Sequence, residues 1–270
     1  MVLFDLNGRC IPSRGMRLFS ENRSFYYKII QPKIIYEEIL SNSIKNGILN
    51  DAVSVEEFKN TAEELLNSIK KDKNFSNILK GPHVPFINDL LFEDYDLGSN
   101  LEKELLPKLK EAFISKNPNS KFTAVLQGNT QLTNCIQIEK NSNYQKYLAV
   151  SKKKSTVGWY FPQSFQEYDV ESQRKQFAEI NKEEIMGANF CLSGALDTIA
   201  ALIGSPNLLN NEENYSPLLC LSSYEHDDPR MVLLVKAYGP HLEFWCMSQM
   251  ITKEIKQVSE QWTAGISIYK

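Results

Sequence analysis

The spacing of apolar residues changes from one region of the chain to the next. Within residues 33–48, 54–71 and 99–114, apolar residues recur every three or four positions, which is the period of an α-helix. Between residues 121 and 161, short runs rich in β-branched and aromatic residues are separated by turn residues, which predicts a central antiparallel meander. The stretch 189–204 is apolar around most of a helical circumference, which predicts a buried helix.

The most clearly defined of the N-terminal helices covers residues 54–71. Ser54 and Glu57 form a capping box, in which each side chain satisfies a free backbone N–H of the first turn. The helix has one apolar face, which consists of Phe58, Ala62, Leu65, Leu66 and Ile69. The helix over residues 99–114 contains Pro107, so it either begins at this proline or kinks there. Near the N-terminus, Asn7-Gly8 lies between two short apolar runs and predicts a hairpin.

Strands return in the last third of the chain. Three runs predict a C-terminal antiparallel sheet, and they cover residues 216–224, 230–238 and 241–248. Gly239 and Pro240 join the last two of these strands. Residues 250–262 predict a closing amphipathic helix, and residues 265–270 predict a final edge strand.

The order of these elements predicts the fold class. Helices and strands come in blocks instead of alternating singly, so we expect an α+β fold with antiparallel sheet. We expect a single α+β domain over residues 1–270, with residues 162–170 as the possible sub-domain boundary.

Composition and charge restrict the class of protein. The 270 residues carry a net charge of −3 at pH 7, whereas nucleic-acid-binding domains usually have a basic face, so we expect no nucleic-acid partner. The first residues lack a secretory signal, and no apolar run is long enough to span a membrane. The five cysteines include no CxxC pair, which favours reduced thiols. We therefore expect a cytoplasmic protein, or one delivered into a host cytosol without a signal peptide.

Cys191 is the candidate nucleophile. If Asn189 caps the predicted buried helix, Cys191 lies in the first turn, where free N–H groups favour the thiolate. His241 opens a later strand and is the candidate base. Glu243 lies two residues further along the same strand face and would orient the imidazole.

Several alternatives to this catalytic arrangement stay open. Gln257 or Gln261 could orient the imidazole instead of Glu243, and His226 could replace His241 as the base. Cysteine is also among the most buried residue types, so Cys191 could be part of an apolar core. The acidic turn 225–229 is expected to be exposed and metal-free, because consecutive ligand-type residues suit a turn better than a coordination sphere.

The sequence contains no phosphate-binding, kinase or metalloprotease motif, and we expect no cofactor. The leading interpretation is a domain that binds another protein through its sheet edges and its closing amphipathic helix. The alternative is a cysteine-dependent hydrolase or acyl or amide transferase, similar in its nucleophile to papain and transglutaminase, with Cys191 as nucleophile and His241 as base. Whether the chain is an enzyme stays open, as does its oligomeric state.

Overall fold

The computed structural model of the chain describes residues 2–16, 27–50, 52–89, 92, 96–116, 119–126, 131–209, 216–249 and 261–270. The α-helices are α1 (Tyr36–Lys45), α2 (Val55–Lys71), α3 (Leu97–Asn100), α4 (Leu106–Lys116), α5 (Tyr144–Ser151), α6 (Val170–Ile180) and α7 (Ala195–Gly204). The strands are β1 (Val84–Asn88), β2 (Lys121–Leu126), β3 (Ile136–Ile138), β4 (Thr156–Phe161), β5 (Asn189–Leu192), β6 (Leu218–Cys220), β7 (Tyr224–His226), β8 (Met231–Tyr238), β9 (His241–Ser248), β10 (Trp262–Ala264) and β11 (Ile266–Tyr269). Helices combine with antiparallel and mixed sheets, so the predicted α+β class is confirmed.

The first sheet has four antiparallel strands in the order β1-β4-β11-β5. Strand β11 lies between β4 and β5, so the prediction that the last residues form an edge strand is wrong. All four residues of β11 are buried, because both its edges are paired and both its faces are covered.

The second sheet has five strands in the order β10-β6-β8-β9-β2. Strands β8 and β9 form the predicted antiparallel hairpin, with Tyr238 opposite His241 across Gly239-Pro240. The two outer strands pair in parallel, β10 with β6 and β2 with β9, so the C-terminal sheet is mixed. Strands β3 and β7 form a separate antiparallel pair.

The prediction of an antiparallel meander over residues 121–161 is wrong. Strands β2, β3 and β4 lie in three different sheets, and residues Tyr144–Ser151 form helix α5. In α5 the buried residues are Tyr144, Tyr147, Leu148 and Ser151, which is a helical spacing. The alternation of side chains shows which residues share a face of a strand, but it does not show which strand is the neighbour.

The predicted buried helix at 189–204 is confirmed only in its second part. Helix α7 begins at Ala195, and every residue of it is buried. Residues Asn189–Leu192 instead form β5, because they pair with β11 along its full length. Gly194 is extended and acts as the N-cap of α7, and its N–H donates to the Asp197 carboxylate.

Several local predictions can be compared with the structure. Ser54 Oγ accepts a hydrogen bond from the Glu57 N–H, as expected for the cap of α2.

The helix containing Pro107 neither begins nor breaks at this residue. It widens into a π-helical turn over Leu101–Leu105, directly before α4, whose second residue is the proline that lacks an N–H. The predicted closing helix at 250–262 lies outside the described residues up to 260, and Trp262 belongs to strand β10.

The apolar core occupies both faces of the first sheet. On β4, Tyr160 points into one cluster of buried residues, whereas Val157 and Trp159 point into the other. Residues 161–170, at the possible sub-domain boundary, are all buried. The single-domain organisation stays a prediction. Within the described residues, no helix combines the length and the apolar character needed to cross a membrane.

Candidate functional site

Cys191 lies in strand β5 and not in the first turn of a helix. It is fully buried and lies opposite Ser267 of β11. Burial raises the pKa of the Cys191 thiol well above its ordinary value, and the nearby Asp197 carboxylate raises this pKa further. The thiol is therefore protonated at neutral pH, which is the opposite of the activation expected at a helix N-terminus.

A buried polar centre surrounds Cys191. The Asp197 carboxylate accepts hydrogen bonds from the Tyr144 hydroxyl (3.0 Å), the Gly194 N–H (2.9 Å) and the Ser267 hydroxyl (2.5 Å). Burial raises the pKa of Asp197 to about 6, although these donors act in the opposite direction. Because the donors come from α5, the start of α7 and β11, this carboxylate ties three elements together.

His241 and Glu243, unlike Cys191, lie side by side on β9. The imidazole Nδ1 is 3.7 Å from Glu243 Oε1, and the His241 side chain is 33% exposed. Glu243 also accepts a hydrogen bond from Trp245 Nε1 (2.7 Å) and lies 3.0 Å from Lys236 Nζ. Partial burial raises the pKa of Glu243, but the bonds from Lys236 and Trp245 outweigh this effect and hold the pKa below its usual value.

The structure places Thr123, which the sequence did not single out, beside this histidine. Thr123 Oγ1 lies 2.8 Å from His241 Nε2, so a hydroxyl, an imidazole and a carboxylate follow one another in the order used by hydroxyl-nucleophile hydrolases. Cys191 belongs to the other sheet, and among the described residues it has no hydrogen bond to an imidazole. Thr123 is exposed, so the three groups lie at the surface.

The other sequence candidates have different surroundings. His226 Nδ1 accepts a hydrogen bond from the Asp228 N–H, and the Asp228 carboxylate binds Arg230. Asp227, in the same turn, is exposed and accepts from Gln137. In the part of the chain that the structure describes, no three His, Cys, Asp or Glu side chains converge as metal ligands would. Gln257 lies outside the described residues, and Gln261 begins the segment that leads into β10.

Strand β2 lies at one end of the second sheet, and none of its six residues is fully buried. It pairs with β9 on one side only, and none of the residues that the structure describes pairs with its other side. The Lys121 N–H donates to the Pro240 carbonyl (3.1 Å), toward β9. Because successive residues of a strand alternate, the N–H and C=O groups of Phe122, Ala124 and Leu126 point away from the sheet.

An apolar groove of about 390 Å³ runs beside this edge. The strand contributes Phe122, Ala124 and Leu126, and the helical side contributes Glu102, Leu106, Pro107 and Lys110. Phe122 and Leu126 are only half-buried, and they pack against one of the two core clusters. The groove is therefore the place where that cluster reaches the surface, next to backbone groups that no described residue pairs.

No protein-family model, curated protein or solved structure matches this chain. The candidate site is therefore defined by its geometry alone. It consists of the outer edge of β2 and the groove between β2 and α4, which together we name the β2 edge.

Proposed function

We propose that the chain is a protein-binding domain that holds an extended segment of another protein along the β2 edge. The observation that carries this proposal is the row of outward N–H and C=O groups at Phe122, Ala124 and Leu126. Such a row is a template for an added strand, because a bound segment forms the backbone hydrogen bonds that the described residues do not supply to this strand.

The side chains at this edge support binding rather than protection. Natural edge strands avoid pairing by carrying proline, inward-pointing charges or a bulge, or by being very short. Strand β2 has six residues, Lys-Phe-Thr-Ala-Val-Leu, and its one charged residue is at its start. The adjacent groove offers apolar surface to alternate side chains of the added strand, which is how such sites select their partners.

A proline at position 124 tests the proposal. Ala124→Pro removes one outward N–H and leaves the hydrogen bonds to β9 intact, since those belong to the residues on either side. Ala124→Ser is the matched control, because it keeps the N–H at a similar size. The probe is a phage-displayed library of random peptides selected on the immobilised wild-type chain, with the affinities of the enriched peptides measured for all three proteins.

We expect the enriched peptides to bind wild type and Ala124→Ser with the same affinity. Their affinity for Ala124→Pro should be lower by about tenfold or more, because one hydrogen bond is lost and the proline ring clashes with the peptide. Amide exchange at Phe122, Ala124 and Leu126 should slow when peptide is bound. No enrichment, or equal binding to all three proteins, would overturn the proposal. Self-association that Ala124→Pro abolishes would also overturn it, because the occupant would then be a second copy of the chain.

A second candidate function, hydrolysis or acyl transfer, is favoured by the contact between His241 and Thr123. In this proposal the Thr123 hydroxyl attacks an ester carbonyl while His241 accepts the proton. The version suggested by the sequence, with Cys191 as the nucleophile, requires this buried thiol first to become exposed and to reach an imidazole. The leaving alcohol departs, and water then releases the acyl group. Glu243 would hold the imidazole in place.

Hydrolysis of p-nitrophenyl acetate separates these versions of the second candidate. Release of p-nitrophenolate that disappears in His241→Ala and Thr123→Ala but persists in Thr123→Ser and Cys191→Ala supports Thr123 as the nucleophile. Loss in Cys191→Ala alone supports the cysteine. A hydrolysis rate equal to that of buffer, or one that none of the variants changes, excludes both Thr123 and Cys191 as nucleophiles.

The proposed setting is the cytoplasm, or a host cytosol after delivery. All five cysteines are free thiols, and four of them are buried, which suits a reducing compartment. The proposed partner is a protein and not a nucleic acid, since the net charge is −3.

A further inference from the structure

The helical wall of the β2 edge has an ordered set of charges. Glu102, Leu106 and Lys110 are four residues apart and line the same groove. A carboxylate therefore stands at one end, an ammonium group at the other, and apolar surface between them. Residues at this spacing form one stripe on a helix, with Glu102 contributed by the π-helical turn.

Both charges line the groove, and the carboxylate is held in place. Glu102 is half-buried, and its Oε2 accepts a hydrogen bond from the Leu132 N–H (3.1 Å), which fixes the carboxylate at the groove wall. Lys110 is exposed and has no ion-pair partner among the described residues.

The direction of the stripe relative to β2 follows from two observations. Glu102 is near the Leu126 end of the strand, because its carboxylate accepts a hydrogen bond from the Leu132 N–H, six residues beyond Leu126, and acts on Cys246, the residue opposite Leu126. Helix α4 ends at Lys116, only five positions before β2 begins at Lys121, so Lys110 is nearer than Glu102 to the Phe122 end of β2.

The spacing of the stripe matches that of an added strand. Four helical residues rise about 6 Å, and two strand residues rise about 6.6 Å. Alternate side chains of a strand beside β2 would therefore meet Glu102, Leu106 and Lys110 in turn. Antiparallel pairs outnumber parallel ones, and an antiparallel neighbour of β2 runs from the Leu126 end to the Phe122 end.

We infer that the segment bound at the β2 edge is an antiparallel strand with a basic, an apolar and an acidic residue at alternate positions, in that order from its N-terminus. This inference rests on the proposed function and adds the partner's chemistry to it. The basic residue faces Glu102, the apolar residue packs on Leu106 and Pro107, and the acidic residue faces Lys110.

Two synthetic peptides of identical composition test the inference. The first has lysine, leucine and glutamate at alternate positions with threonine between and around them, and the second has the lysine and the glutamate exchanged. Binding to wild type is measured at low and high salt. Lys110→Glu is the test variant, and Lys103→Glu is its matched control, since Lys103 is exposed on the same helical segment but does not line the groove.

We expect the first peptide to bind about fivefold more tightly than the second at low salt, and the difference to shrink at high salt, as for exposed ion pairs. Lys110→Glu should lower the preference for the first peptide or reverse it, and Lys103→Glu should leave it unchanged. Tighter binding of the second peptide would overturn the inferred order.

The outcomes separate this inference from the proposed function. If both peptides bind wild type equally and Ala124→Pro weakens both, the charge pattern is wrong and the binding edge stands. If neither peptide binds at about millimolar concentration, and the library selection also yields no binder that Ala124→Pro weakens, both proposals fail.

Discussion

The buried Asp197 carboxylate should control how the stability of this protein depends on pH. Burial raises the pKa of Asp197 from 3.8 to about 6 in the folded chain. The folded state therefore holds this proton more tightly than the unfolded state does. As the pH rises from about 4 to about 6, the unfolded chain loses the proton first, and the free energy of unfolding falls.

The size of this effect follows from the pKa difference. A difference of about 2 units at about 1.4 kcal/mol per unit gives a loss of about 3 kcal/mol between pH 4 and pH 7. Below pH 3.8 both states are protonated and there is no penalty. Above pH 6 both are ionised, and the penalty stays constant.

Asp197→Asn isolates this contribution, because it cannot ionise in this range and keeps nearly the same shape. Its amide oxygen can still accept from Tyr144 and from the Gly194 N–H, and its NH₂ group can donate to the Ser267 hydroxyl. The assay is urea denaturation of both proteins at several pH values from about 3.5 to 7. The stability of wild type relative to the variant should fall by about 3 kcal/mol across this range.

Asp228→Asn is the matched control. Hydrogen bonds from Arg230 lower the pKa of Asp228 to about 2, so its stabilising effect is lost as the pH falls from about 4 to about 2, at the acid end of the assay and below it. Its difference from wild type should stay constant between pH 4 and pH 7. If the wild-type and Asp197→Asn curves run parallel over this range, Asp197 is not a buried carboxylate with a raised pKa, and the description of the polar centre is wrong.

Three further substitutions test other parts of the structure. Cys191 should resist iodoacetamide until the chain unfolds, which mass spectrometry would show, and rapid alkylation of the folded protein would contradict its burial. Cys191→Ala should lower the free energy of unfolding by about 1 kcal/mol. Ser54→Ala should lower the free energy of unfolding by about 1 kcal/mol, because the Ser54 side chain accepts a hydrogen bond from the Glu57 N–H, and Ser54→Asp should restore it. Equal stability of wild type and both variants would show that the cap contributes nothing. Gly98→Ala should lower the free energy of unfolding, measured by urea denaturation, by about 2 kcal/mol or more, since its Cβ would lie 1.8 Å from the Leu132 carbonyl oxygen. A variant as stable as wild type would contradict this close approach of Gly98 to Leu132.

Elements defined by local spacing were predicted well from the sequence. Helix α2 has its cap and its apolar stripe within seventeen residues, so every determinant is local. The β8–β9 hairpin is specified by two alternating runs around one turn. Helix α5 was missed because Tyr144, Tyr147 and Val150 are also residues that favour strands, and the turn residues beside them matched a hairpin.

Strand partners were the part that the sequence did not predict. Strand β2 pairs with β9, which follows it more than a hundred residues later, and β11 inserts between β4 and β5 at the end of the chain. Such pairings depend on how all the elements pack, and no single run of residues encodes them. Cys191 shows the consequence: residues 190–192 are apolar enough for a helix, but pairing with β11 makes them a strand.

The same limit explains which parts of the candidate site could be predicted. His241 and Glu243 were predicted to lie together, because two residues apart on one strand is a local relation. Thr123 could not be predicted beside them, since its contact with His241 exists only if β2 lies parallel to β9. The β2 edge depends on the same pairing: a lysine followed by five apolar and β-branched residues predicts a strand but not its position in a sheet. Only the strand order shows that this run is the last strand, with its outer hydrogen-bonding groups unpaired by the described residues and an apolar groove beside it. A binding surface built from backbone groups has no sequence motif, because every residue except proline supplies the same N–H and C=O.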